Sequence, residues 1–142
     1  MSTKDYSMKV VAMTLWGEAR GEPVEGKMAV ASVIFNRAAI MARQSDKAFG
    51  ESVIEEMQRV CLAPAQFSCW SAGVFVQEQP DGGFQWKVCE EIAKDVCGEH
   101  FGPLITATHY FAVTIAKPVW ADGMDFVGRF GNQLFYADGN WR

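Results

Sequence analysis

Glu18 stands where a hydrocarbon side chain is expected. It lies in Trp16-Gly-Glu-Ala-Arg-Gly-Glu22, and Met8, Val11 and Leu15 precede it at the spacing of one helix face. A carboxyl group on that stripe faces the protein interior. It is either half of a structural ion pair, with Arg20, Arg37 or another cation, or a general acid whose surroundings keep it protonated. Burial beside Leu15 and Trp16 would penalise the charged form, and so would the negative end of the helix dipole. Glu22 follows, separated by Gly21 and preceding Pro23. It suits the N-terminus of the next helix, where acids satisfy free backbone N–H groups. It could also be the second carboxylate of a two-acid glycosidase.

Rings and amides form a second set. Gln66, Phe67, Ser68 and Trp70 share a proline-containing loop. Tyr110 and Phe111 fall on a predicted strand, Trp120 follows Pro118, and Tyr136 ends a predicted hairpin. Sugar sites need rings for apolar faces and amides or hydroxyls for edges. Any single ring is nonetheless more often core than ligand contact. The two histidines, His100 and His109, lack the local partners of a zinc site, so no metal and no cofactor are expected. No glycine-rich phosphate loop is present. Cys61, Cys69, Cys89 and Cys97 lack CxxC spacing and sit in apolar contexts, which favours inert, reduced thiols. Cys89 and Cys97 fall on one predicted helix, too far apart to bridge each other, and a Cys61–Cys69 bridge is the alternative to reduced thiols.

These groups must be positioned by a small body. The 142 residues suit one domain, 1–142, and 49% are hydrophobic, enough for a packed core. The formal charge of −4 contains no basic stripe, which argues against nucleic acid as a partner. No stretch is apolar enough to cross a membrane. The N-terminus lacks the apolar core of a signal peptide, so the expectation is synthesis in the cytoplasm with action on the cell wall after release.

Periodicity predicts a helix over about 5–20, with Asp5 or Ser7 near its start. A largely apolar, central helix follows over 24–42. A short helix is predicted near 52–60 and another over about 84–97, with Cys89, Ile92, Ala93 and Val96 inward. Residues 105–113 alternate as a strand, and 126–130 and 134–137 flank a Gly131-Asn132 turn. The fold class is therefore α+β, mainly helical, with a small C-terminal antiparallel sheet.

Three blocks resemble the SleB-type cell-wall hydrolase family, which includes spore-cortex-lytic enzymes and phage or prophage endolysins. They are Trp16 to Pro23 with Gly26 to Arg37, then Pro64 to Trp70, then Thr108 to Phe111 with Pro118 to Ala121 and Gly131 to Tyr136. The resemblance covers roughly residues 10–137. It implies a lysozyme-like or lytic-transglycosylase-like domain, with Glu18 matching the family's catalytic glutamate. Gln133 stands where the family pattern usually has His. A glutamine cannot titrate near neutrality but can hydrogen-bond sugar or backbone. The expected substrate is the glycan strand of peptidoglycan, cut at the β-1,4 bond between N-acetylmuramic acid and N-acetylglucosamine. Small size suits a phage enzyme with a holin-type release partner. Two other classes compete: an N-acetylmuramoyl-L-alanine amidase, which would commonly need zinc, and a non-catalytic peptidoglycan-binding module. Oligomeric state is not legible.

Overall fold

The structure, a computed structural model, describes residues 1–63, 67 and 83–139. Among them the chain forms helices α1 (Thr3–Ala19), α2 (Val24–Ala42), α3 (Phe49–Leu62) and α4 (Gly83–Val96). Strands β1 (His109–Ala112), β2 (Asp125–Phe130) and β3 (Gln133–Ala137) follow, with a 3-10 turn at Val119–Gly123 between β1 and β2.

Ser2 starts α1, not Asp5 or Ser7: its Oγ accepts from the Asp5 backbone N–H at 3.1 Å. Ser7 is buried and donates to the Ile54 carbonyl at 2.7 Å, which ties α1 to α3. Helix α2 is the centre of the body. Ala29, Val30, Ala31, Val33, Ile34 and Ala38 are fully enclosed, as its nearly continuous apolar sequence requires. Helix α3 is longer at both ends than its apolar spacing alone indicates. In α4 the four inward positions are buried as their spacing predicts.

The first strand is shorter than its alternation suggests. Residues 105–107 do not enter the sheet because α2 takes their carbonyls, and Thr108 makes the first sheet bond, its N–H donating to the Tyr136 carbonyl at 2.9 Å. Asn36 Nδ2 donates to the Ile105 and Ala107 carbonyls, both at 2.9 Å, and Ser32 Oγ accepts from Leu104 N–H at 2.8 Å. Buried Arg37 adds Nε to the Thr108 carbonyl at 2.6 Å. The chain is thus laid along α2 before it enters β1.

The sheet is antiparallel with order β1-β3-β2. Tyr110 pairs with Phe135, and Gln133 pairs with both Ala112 and Phe130. A bulge between Phe126 and Gly128 lets both ends of β2 stay in register. One face carries Tyr110, Phe130 and Phe135 against the helices. The other face carries Phe111 and Tyr136, stacked at 5.6 Å, and packs with Ala121 of the 3-10 turn into a small second core. Successive residues of one strand therefore serve different cores.

Two features fix the hairpin tip on the α1–α2 corner. Glu22 Oε1 accepts from Asn132 N–H at 2.7 Å. Gly131 has φ of +60°, and a Cβ there would collide with Glu22 Oε1 and Pro23 Cδ, so both conformation and space require glycine. Helix α2 itself starts at Pro23 with no side-chain cap. Glu22 therefore satisfies a backbone N–H of the hairpin, not of the second helix as its sequence position suggested. Below it, Lys27 is 1% exposed and donates through Nζ to the carbonyls of Arg20 (3.1 Å) and Glu22. These are the unpaired carbonyls left past the end of α1.

Replacing Lys27 with Met keeps the volume but strands those carbonyls. It should cost about 2–3 kcal/mol, measured by denaturant unfolding. His109, on the outer face, gives a pH dependence. Burial holds its imidazole below the ordinary value, the Arg37 charge lowers it further, and Asp138 opposes. The unfolded chain therefore takes up the proton first. Stability should be full above about pH 6.5 and should fall as pH drops from there toward the folded-state value. In melting curves against pH, His109→Gln should remove that part of the slope.

Candidate active site

Glu18 occupies the last turn of α1, and its backbone orientation follows from the buried stripe beneath it: Val11 and Leu15 are fully enclosed. Glu18 as a whole residue is half-buried. Tyr110 Oη, reaching from β1, donates to Glu18 Oε1 at 2.9 Å. Helix end and sheet thus meet at this acid. Neighbouring Trp16 is held edge-on to Trp86 of α4, with centroids 6.0 Å apart. Arg20 turns back on its own helix, donating to the Trp16 and Gly17 carbonyls at 3.3 and 3.5 Å, with its guanidinium 5.6 Å from the Trp16 ring centroid. It serves the helix C-terminus, where a cation is favourable.

The sequence candidates divide by the sheet. Tyr110 and Gln133 lie on the face that meets the helices, together with the rings of Phe130 and Phe135. Gln133 is 8% exposed, and among the described residues no group donates to its buried Oε1. Tyr136 and Trp120 lie on the other face. Tyr136 belongs to the small second core, and Trp120 packs edge-on against Tyr136 and Phe111 while remaining partly exposed. The structure does not bring these two rings to the Glu18 side. Phe67 is buried, with the Arg37 guanidinium 5.7 Å from its ring centroid. Gln66, Ser68 and Trp70 lie outside the described residues. Glu22 sits near Glu18 in sequence, with Oε1 engaged at the hairpin tip.

Among the described residues no three His, Cys, Asp or Glu side chains gather as a metal site would require. His109 Nδ1 lies 2.9 Å from Thr108 Oγ1, which also accepts from Asp138 N–H. Among the described residues Cys61, Cys89 and Cys97 are free thiols, and Cys69, the other half of the Cys61–Cys69 pairing, lies outside them. Burial pushes the Cys61 thiol up to about 12, and those of Cys89 and Cys97 to about 11, which makes all three poor nucleophiles. No helix among the described residues is long and apolar enough to cross a membrane.

Two positions, Lys27 and Asn36, escaped the sequence reading, and Arg37 entered it only as an ion-pair partner for Glu18. All three bond backbone carbonyls and set the path of the chain around the acid. The available signal was a set of polar side chains on α2, a helix otherwise apolar almost all round. Such groups survive burial only when each is bonded.

Comparison with known proteins fits this geometry. The spore cortex-lytic enzyme of Bacillus subtilis (strain 168) is 29% identical over 128 residues, covering 90% of this chain and 36% of that protein. The chain thus spans about a third of that relative's length. The catalytic domain of the germination-specific lytic transglycosylase SleB from Bacillus anthracis has a TM-score of 0.66 at 23% identity, covering 96% of each chain. The catalytic domain of the Bacillus cereus SleB protein gives 0.65 at 21%, covering 93% of this chain and 90% of that one. The fold is accordingly that of those catalytic domains. A family model described as Cell Wall Hydrolase matches residues 21–136, most of the chain, and this protein belongs to the cell wall hydrolase family.

Proposed function

We propose that this chain cleaves the glycan strands of peptidoglycan at the β-1,4 bond between N-acetylmuramic acid and N-acetylglucosamine, as a lytic transglycosylase. The observation that carries the reading is the Tyr110–Glu18 hydrogen bond. It joins the first and third sequence blocks at one carboxyl group and orients that group from outside its own helix. The likeness to spore cortex-lytic and SleB proteins supports the same chemistry.

Glu18, protonated, gives its proton to the glycosidic oxygen as the C1–O bond breaks. With Tyr110 holding Oε1, the proton leaves from Oε2. The C6 hydroxyl of the muramoyl residue then attacks C1, and its proton passes to the Glu18 carboxylate. The product is a 1,6-anhydro sugar, the acid is regenerated, and no water is consumed. Glu22, the candidate second carboxylate, has Oε1 on a backbone N–H, which favours this route over two-acid hydrolysis. Proton transfer of this kind contributes about 10²–10⁴-fold, with orientation and binding supplying the rest. On this reading the enzyme acts at the cell wall, with a holin-type release partner.

Glu18→Gln keeps the shape and the acceptor for Tyr110 but has no proton to give. Lysis of purified sacculi, followed by turbidity, should fall at least about 10²-fold with the melting temperature unchanged. Near-normal lysis would end the assignment. Mass spectrometry of the released ends should find anhydromuramic acid, whereas reducing muramic ends would indicate hydrolysis and free L-alanine termini an amidase. Tyr110→Phe keeps the ring and removes the hydroxyl. It should lower kcat about tenfold with little change in KM, since orientation of the acid matters most in the transition state.

A further inference from the structure

We propose that Glu22 is a positioning residue of this site, acting through the hairpin tip, and not a second reacting carboxylate. The proposal rests on the reading of Glu18 given above. Its basis is a closed ring of contacts. Glu22 N–H donates to the Ala19 carbonyl at 2.9 Å, so the corner after α1 is fixed relative to the acid one residue earlier. Glu22 Oε1 holds Asn132 N–H at 2.7 Å. The Asn132 carbonyl accepts from Val113 N–H at 2.9 Å, just past the end of β1. Three residues back along the chain, Tyr110 returns to Glu18 Oε1 at 2.9 Å.

Each link is short and directional, so the distance between the acid and its tyrosine is set from two sides. One side is the paired sheet, and the other is the bond made by the Glu22 carboxylate. The surroundings are built for that bond. Gly131 leaves the room that the Glu22 carboxylate fills. Gly26 lets α2 approach the tip closely, since a Cβ there would meet Glu22 Cβ at 3.1 Å and the Phe130 carbonyl at 3.6 Å. Lys27 holds the Glu22 carbonyl from beneath. Gln133, which follows Asn132 directly, is carried into place by the same bond.

What Glu22 supplies on this account is an acceptor oxygen. A reacting carboxylate would also need its charge, and the two roles separate on substitution. Glu22→Gln retains the acceptor and loses the charge. It should keep kcat on purified sacculi within about threefold of wild type and still give anhydromuramic ends. Glu22→Ala loses the acceptor and should lower kcat about tenfold with KM within about twofold. Amide hydrogen exchange at Asn132 should be slow in the wild type and in Glu22→Gln, and fast in Glu22→Ala. Gly131→Ala places a Cβ against Glu22 Oε1 and so drives the carboxylate and the tip apart without removing the carboxylate, and should reproduce the Glu22→Ala loss. Combined with Glu22→Ala, it should add little further loss.

Glu22→Gln as inactive as Glu18→Gln would overturn the proposal and make Glu22 a reacting group. A folded Glu22→Ala protein with wild-type kcat would overturn it from the other side. A wild-type protein that fails to cut sacculi would remove the parent reading instead, and the first assay of the series distinguishes that case.

Discussion

A single hydrogen bond between the end of a helix and the first strand of a sheet organises the functional half of this protein. Tyr110 can reach Glu18 only if β1 is laid at the right height over the C-terminus of α1. That height is set by polar groups of α2, which hold the backbone of residues 104–108 just before the strand begins. The helices supply a rigid apolar base, with α2 fully wrapped. The sheet is one layer thick and contributes its rings to the rim of that base. Burial provides most of the stability, while the bonds of Asn36, Arg37 and Glu22 provide direction.

Buried polar groups in such a body are costly unless bonded, and here Ser7, Lys27, Ser32, Arg37 and Thr108 are each bonded to backbone across a junction. Lys27 closes the α1–α2 corner, Ser7 links α1 to α3, and Thr108 joins β1 to both Arg37 and Asp138. Apolar packing alone would let neighbouring elements slide by a fraction of an ångström. Directional bonds at the junctions remove that freedom around Glu18, the acid proposed to react, where small displacements would matter most to rate.

Much of this was legible in the sequence. The stripe Met8–Val11–Leu15–Glu18 located both the first helix and the acid, because helical periodicity is a local property. The Gly131-Asn132 turn was equally local. What was not legible depends on contacts between distant residues. Tyr110 stood out as a ring for sugar, yet its hydroxyl serves Glu18 across 92 positions of chain. Tyr136 and Trp120 looked equivalent to it, and only strand register assigns them to the opposite face. The early end of the strand pattern at 105–107 was hidden for the same reason, since Asn36 lies some seventy positions away. Glu22 was rightly taken as a partner of backbone N–H groups, but the helix beside it was the nearer guess and the hairpin the actual one.

The sheet's thinness restricts how the chain can change in length. Because Tyr110 faces the acid while His109 and Phe111 face away, a one-residue slip in β1 would swing the hydroxyl outward and bring a neighbour in. Deletions or insertions inside β1, or at the tip clasped by the α1–α2 corner, would therefore scramble the reading frame of the faces. The stretch from 114 to 117, between the last sheet bond of Val113 and the 3-10 turn, has no such frame to keep. Relatives of different length should have gained or lost residues there, as a splice that leaves the chemistry untouched.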